Sequence, residues 1–194
     1  MKIFVDLVFQ VMGTRIPVDH GYQLFSSISK VLPVFHEAQD IRLGLIRGKY
    51  LGDGLLDIHP KTELVLRLPS DGIAKFINLA GKRLDIDGCC VQIGIPNTRA
   101  LIPAASLYAH IVTTKNGNEE PRFQNEISHQ VEKLGIDGKL HIGERRTFRV
   151  HDKQVVGYSV SIDELTAEES IALQEAGLGG RRKMGCGFFE PLKS

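Results

Sequence analysis

Phosphate recognition is the first chemistry the residues suggest. Near the C-terminus runs Gly177-Leu178-Gly179-Gly180-Arg181-Arg182-Lys183-Met184-Gly185-Cys186-Gly187, with five glycines and three consecutive cations in eleven residues. Glycine lets a backbone turn sharply and approach another backbone closely. Its exposed N–H groups can line an anion site, and the cations add charge for phosphate. Arginine also stacks on bases, which lysine does poorly. The familiar nucleotide motifs do not fit. A Walker loop needs Ser or Thr after its lysine, and Met184 follows Lys183. A Rossmann fingerprint needs a third glycine where Arg182 stands and a preceding strand, yet this loop follows a helical pattern. The plain alternative is a solvated turn whose charges serve solubility.

A second basic cluster is Arg145-Arg146-Thr147-Phe148-Arg149. On a strand, Arg145, Thr147 and Arg149 share one face, and Arg146, Phe148 and Val150 the other. Taken alone, solvated strand charges explain it. Seven histidines supply candidate proton carriers: His20, His36, His59, His110, His129, His141 and His151. None forms H-x-x-x-H or H-E-x-x-H, so no metal site is assigned. His110 reads as a sheet residue, and His129 and His151 as exposed. His20 and His36 bracket the first predicted helix, which can place both on one cleft. No G-x-S-x-G nucleophile elbow or paired-carboxylate signature accompanies them.

These groups need elements to position them. Alternation of Ile3, Val5, Leu7, Phe9 and Val11 predicts a strand. A turn over Gly13 to Pro17 follows. Asp19 then caps a helix through Tyr22, Phe25, Ile28 and Leu32. Residues 41–68 read as two strands joined by a glycine-rich connection. A short helix starts at Ser70-Asp71, and Cys89 to Ile95 alternates again. The pattern then restarts: a strand over Leu107 to Thr113, a helix over Phe123 to Leu134, and a hairpin of Arg145–Val150 with Val155–Ile162 around His151. The capping box Thr166-x-x-Glu169 opens a helix ending at Gly177, and Phe188 and Phe189 form a last strand. Both halves show βαββαβ order. The fold class expected is α+β, two tandem ferredoxin-like (RRM-like) domains at residues 1–96 and 104–194, with 97–103 as linker.

Composition narrows the class. Of 194 residues, 42% are hydrophobic and 24% charged, which is globular and excludes general disorder. Three cysteines, two of them adjacent, are not a secreted disulfide framework. The first residues carry Asp6 inside the apolar run and do not read as a signal peptide, and no apolar stretch reaches membrane length. A cytoplasmic protein without membrane contact or cofactor is expected. The net charge of +1 hides segregation. Residues 139–153 sum to +3, whereas 163–175 hold five acids and no Lys or Arg. A basic face and an acidic face can coexist on a neutral chain.

The run Gly177 to Phe188 resembles the glycine-rich loop of the CRISPR-associated repeat-processing endoribonucleases, the sixth Cas protein family. That loop has the form G-x-G-x(5)-G-x-G with basic residues inside, and Gly177, Gly179, Gly185 and Gly187 match it. Tandem ferredoxin-like domains with the loop before the last strand are also similar to the family. The stretches Asp19 to Phe25 and Leu101 to Tyr108 resemble its Myxan-type subgroup. The resemblance implies a metal-independent endoribonuclease that cleaves the repeats of precursor CRISPR RNA by attack of the 2′-hydroxyl, leaving a cyclic phosphate and a 5′-hydroxyl. It implies His36 as the favoured general acid or base, His20 as its rival, Tyr22 as a partner, and Arg42 or Arg47 for charge on the phosphorane. It implies RNA contacts from Arg145, Arg146 and Arg149, and from Gly177, Gly179, Gly180, Arg181, Arg182, Lys183, Gly185 and Gly187. The implied partners are the repeat RNA and other Cas proteins of a type I effector complex, with the protein itself a monomer or homodimer. A non-catalytic RNA-binding subunit with the same fold is the alternative, and a ferredoxin-like binder of acidic metabolites a third reading.

Overall fold

A computed structural model of the chain describes residues 2–192. Met1, Lys193 and Ser194, at the outer ends of the two expected domains, lie outside the described residues. The chain divides into two compact units, residues 1–100 and 101–194.

The first unit runs β1 (Phe4–Met12), β2 (Arg15–Pro17), α1 (Gly21–Val31), α2 (Val34–Glu37), β3 (Arg42–Leu43), β4 (Lys49–Gly52), β5 (Leu55–Asp57), β6 (Glu63–Pro69), α3 (Ile73–Phe76), β7 (Arg83–Ile86) and β8 (Cys89–Ala100). Period-two alternation in β1 sends Leu7, Phe9 and Val11 into the core, where they meet Leu64, Leu66 and Leu68 of β6. Leu24 and Ile28 of α1 close that core at helical spacing. The main sheet has the order β3-β6-β1-β8-β7, with antiparallel neighbours throughout. This is the ferredoxin-like order, extended by β7. On the sheet's other face, Arg67 places Nε 2.7 Å and Nη2 3.0 Å from the two carboxylate oxygens of Asp6, a bidentate pair between neighbouring strands.

Several local features differ from the sequence reading. Asp19 does not cap α1: His20 is the N-cap, its carbonyl accepting the Leu24 N–H at 2.7 Å, with no side-chain cap. The expected turn at Gly13 to Pro17 contains β2, and the glycine-rich connection contains the β4–β5 hairpin. The three strands form a small separate sheet, β2-β5-β4. The hairpin reverses through Gly52, Asp53 and Gly54, all with positive φ (100°, 50° and 71°), which is why glycine is dense there. Residues 97–100, read as the start of a linker, continue β8. Pro96 does not stop the strand because it sits beside a bulge, where pairing shifts between Phe9 and Val11.

The second unit runs β9 (Leu107–Val112), α4 (Glu120–Lys133), β10 (Lys139–Val150), β11 (Lys153–Asp163), α5 (Ala167–Ala176) and β12 (Glu190–Pro191). Its antiparallel sheet has the order β10-β11-β9-β12. That is again the ferredoxin-like order, so the fold is two ferredoxin-like units in tandem. Phe123, Ile127 and Val131 of α4 pack on Val156, Tyr158, Val160 and Ile162 of β11. The capping box at the start of α5 is present: Thr166 Oγ1 accepts the Glu169 N–H, and Glu169 accepts the Thr166 N–H. The last strand is Glu190–Pro191, beginning just after Phe188 and Phe189, which are both buried.

Candidate active site and glycine-rich loop

In the first unit, Tyr22, Ser26, Ser29 and Lys30 follow one another on α1 at intervals that keep them on one helical face. The face carrying Leu24 and Ile28 is buried, so this second face is open. At Pro33 the chain turns into α2, which returns His36 and Glu37 toward it. The two helices border a cleft of about 400 Å³, lined by Tyr22, Phe25, Ser26, Ser29, Lys30, Pro33, His36 and Glu37. Phe25 stands between the two sequence-predicted groups, its ring centroid 6.4 Å from Tyr22 and 5.6 Å from His36. The cleft therefore holds an imidazole, a phenol and an ammonium, which can accept a proton, donate one and stabilise negative charge. Lys30 also sits in the last turn of α1, where a cation complements the helix dipole.

The other predicted catalytic residues lie elsewhere. His20 is buried. Its Nδ1 lies 2.8 Å from the Pro17 carbonyl oxygen and 3.0 Å from that of Val18, which requires a proton on that nitrogen. Its Nε2 accepts the Ile46 N–H at 3.0 Å. Both ring nitrogens are thus committed to backbone, and burial pushes the imidazole below its ordinary pKa of 6.5. His20 holds the start of α1 to the segment after β3 and does not face the cleft; that corrects the expectation that the two histidines share it. Arg42 is buried, directing Nη1 toward the carbonyls of Gln39 and Ile41 at 3.4 and 3.3 Å. Arg47 is exposed, and neither arginine lines the cleft. Ser26 and Lys30 are functional-site residues that the sequence reading does not single out; the signal for them is the four-residue steps from Tyr22 to Ser26 to Lys30 along α1, while Glu37 enters the cleft from α2 beside His36.

In the second unit, close backbone approach accounts for Gly177, Gly179 and Gly187 of the C-terminal loop, whereas a Cβ on Gly180 would meet nothing within 4 Å. A Cβ on Gly179 would lie 2.3 Å from the Thr113 carbonyl oxygen, and one on Gly187 would lie 2.1 Å from that of Leu178. Both also have positive φ, 71° and 67°. The expectation that the loop's amides line an anion site does not hold for those of Gly177, Gly179, Gly180 and Gly187, which donate within the protein. Gly179 donates to Gln130 Oε1 at 2.8 Å, Gly180 to the Thr113 carbonyl at 2.8 Å, and Gly187 to that of Ile111 at 2.8 Å. Gly177, Met184 and Cys186 N–H groups also donate to backbone carbonyls. These amides build the loop, and its charge is left to the side chains. Arg181 is exposed and in the left-handed conformation, with φ 53°. Arg182 is half-buried, its Nε donating to the Gly179 carbonyl at 3.0 Å. Burial lowers the pKa of both Arg182 and Lys183.

The loop is seated on one face of the sheet. Cys186 and Met184 pack with Ile111, Phe148, Val150 and Val155. Burial pushes the Cys186 thiol up to about 12. The arginines of β10 divide as strand alternation predicts. Arg145 and Arg149 are exposed. Arg146 shares the face of Phe148, is half-buried, and donates Nη2 to Glu144 at 2.9 Å. A bulge sets this division: pairing with β11 shifts between Ile142 and Arg145, and Ser159 Oγ accepts the Glu144 N–H inside it. Among the described residues, no group of three or more His, Cys, Asp or Glu side chains is gathered so as to hold a metal ion. No helix among them is long and apolar enough to cross a membrane.

A sequence model described as Cas6 Crispr matches residues 5–194. The chain belongs to the Cas6 family. It is 39% identical to the CRISPR-associated endonuclease Cas6 of Myxococcus xanthus (strain DK1622), over 98% of this chain and 83% of that protein. Among solved structures, a CRISPR associated protein Cas6 aligns with a TM-score of 0.65 at 12% identity, covering 100% of both chains. A RAMP protein binding different RNA substrates aligns with a TM-score of 0.67 at 12% identity, over 98% of this chain and 100% of that one. At such identities the structures speak for the fold, and the family rests on the sequence matches.

Proposed function

We propose that this protein is an endoribonuclease that cuts the repeats of precursor CRISPR RNA without a metal ion, using His36 for proton transfer. The observation that carries the reading is that Tyr22, Lys30 and His36 line one cleft. The family membership and the endonuclease relative support the activity and the RNA substrate. In the reaction, the ribose 2′-hydroxyl attacks the adjacent phosphorus and the bond to the 5′-oxygen of the next nucleotide breaks. The products are a 2′,3′-cyclic phosphate and a 5′-hydroxyl. His36 takes the 2′-hydroxyl proton or protonates the leaving oxygen, a task suited to imidazole, which titrates near neutrality. Tyr22 supplies a hydroxyl for the opposite transfer. Lys30 takes the role expected of Arg42 or Arg47, stabilising the charge that builds on the phosphorane oxygens. Arg145, Arg149, Arg181, Arg182 and Lys183 contact the RNA backbone; such contacts set affinity, while shape and base contacts select the repeat.

The test is cleavage of cognate repeat RNA in EDTA by the full chain and by His36→Ala. We expect the wild type to cut and the variant to lose about 100-fold or more in rate, the scale of a missing general acid or base, while still retaining RNA in a gel shift. Wild-type protein that retains the RNA and never cuts it overturns the enzyme reading in favour of a non-catalytic RNA-binding subunit.

A further inference from the structure

The Gly179–Gly180 part of the glycine-rich loop is held from outside by two residues of the second unit. Gln130, half-buried near the C-terminal end of α4, accepts the Gly179 N–H on Oε1 at 2.8 Å. Thr113, fully buried just after β9, accepts the Gly180 N–H on its carbonyl at 2.8 Å and directs Oγ1 to the Gly180 carbonyl at 3.4 Å. Between them they engage both polar backbone groups of Gly180 and the amide before it. The next residue, Arg181, has a backbone conformation that non-glycine residues avoid, at φ 53°. The Arg181 carbonyl then receives the Met184 N–H at 2.9 Å, closing the turn that carries the three cations. Left-handed backbone at a non-glycine residue persists only where its surroundings over-determine it. Thr113 supplies this grip mostly through its main chain, which any residue there retains. Gln130 supplies it through a side chain, and the contact joins positions 49 residues apart.

We infer that Gln130 is a positioning residue for RNA binding: its side-chain oxygen fixes Gly179 and thereby presets the strained turn that presents Arg181, Arg182 and Lys183. This rests on the functional reading above for its RNA partner, though not for the geometry of the clamp. Pre-ordering the turn removes a conformational cost that a loose loop would meet on binding. Without the acceptor, the half-buried Gly179 N–H loses its protein partner and the loop samples other conformations.

The variants are Gln130→Met, which keeps length and removes the acceptor, and Gln130→Glu, which keeps an acceptor. Both are made in the full chain. Hydrogen exchange at the Gly179 amide is read first. We expect exchange about tenfold faster in Gln130→Met and wild-type exchange in Gln130→Glu. Binding of a repeat RNA oligonucleotide is read second, across a salt series. Gln130→Met should bind about fivefold more weakly with an unchanged salt slope, because the phosphate contacts remain and only their preordering is lost. A slope reduced by about one would mean that a loop cation loses its phosphate contact outright, so that more than preordering is lost, and would overturn the inference. Unchanged Gly179 exchange, or faster exchange with unchanged affinity, also overturns it. If wild-type protein does not bind the RNA, the functional reading falls, while the exchange measurement still decides whether Gln130 holds the loop.

Discussion

The two units share a strand order and differ in where their polar residues gather. In the first, the candidate catalytic side chains lie outside the sheet, on the open face of α1 and the short α2 that follows it. In the second, α4 lends the side chain of Gln130 to the distinctive feature, the loop between α5 and β12, seated on the sheet around Phe148. The same scaffold thus offers a cleft lined by Tyr22, Lys30 and His36 at one connection and a row of cations at another. Even glycine does different work in the two places. In the β4–β5 hairpin a Cβ on Gly54 would meet nothing within 4 Å, so only the positive φ asks for glycine. In the loop of the second unit, positive φ and close backbone contact act together.

That contrast breaks most sharply under substitution. Gly187→Ala should destabilise the protein by about 3 kcal/mol, because a Cβ collides with the Leu178 carbonyl in a left-handed backbone. Gly54→Ala should cost about 1 kcal/mol, the left-handed penalty alone. Paired urea titrations measure both, and equal losses would show that the loop relaxes freely around the new methyl. Next in size, Lys30→Ala should lower the cleavage rate at saturating RNA on the order of 100-fold, as removing an electrostatic stabiliser does. Arg181→Ala should instead reduce the salt slope of RNA binding by about one. Single-turnover rates and a salt series separate the two, and a Lys30→Ala defect confined to affinity would move that lysine from catalysis to binding.

The smallest effect concerns His20. Its pKa in the folded state lies below the ordinary 6.5 because of burial. Between the folded value and 6.5 the unfolded chain binds more protons than the folded one, so stability rises with pH there. The contribution of the neutral, hydrogen-bonded ring is complete above 6.5 and declines as pH falls below it. Denaturation between pH 7.5 and 5.5 should show this slope, and His20→Gln should flatten it. A slope that survives the substitution would place the titrating group elsewhere.

Much of the fold was legible locally. Alternation in β1 and in the β10–β11 hairpin, the apolar spacing of α4 and the Thr166–Glu169 box follow from periods of two and of three to four and from short-range hydrogen bonding. The loop was legible as a motif, yet the role of its amides was not, since their acceptors, Gln130, Thr113 and Ile111, come from α4 and from β9 and its end. The two histidines show the limit most clearly. At Asp19-His20 and Phe35-His36 the local sequence cannot distinguish an imidazole inside from one outside. The answer depends on where the Ile46 N–H and the Pro17 and Val18 carbonyls come to lie, and Ile46 is 26 residues away.

By itself, then, the sequence determined the tandem ferredoxin-like fold, the family, the glycine motif and a short set of candidate residues. Those depend on periodicity and on residues close together in the chain. Only the tertiary structure decided that His36 and Tyr22 share a cleft with Lys30, that His20 and Arg42 are buried in backbone contacts, and that Gln130 accepts the Gly179 N–H. Each of those outcomes turns on how the chain packs, and for His20 and Gln130 on partners 26 and 49 residues away, which come into reach only once it has.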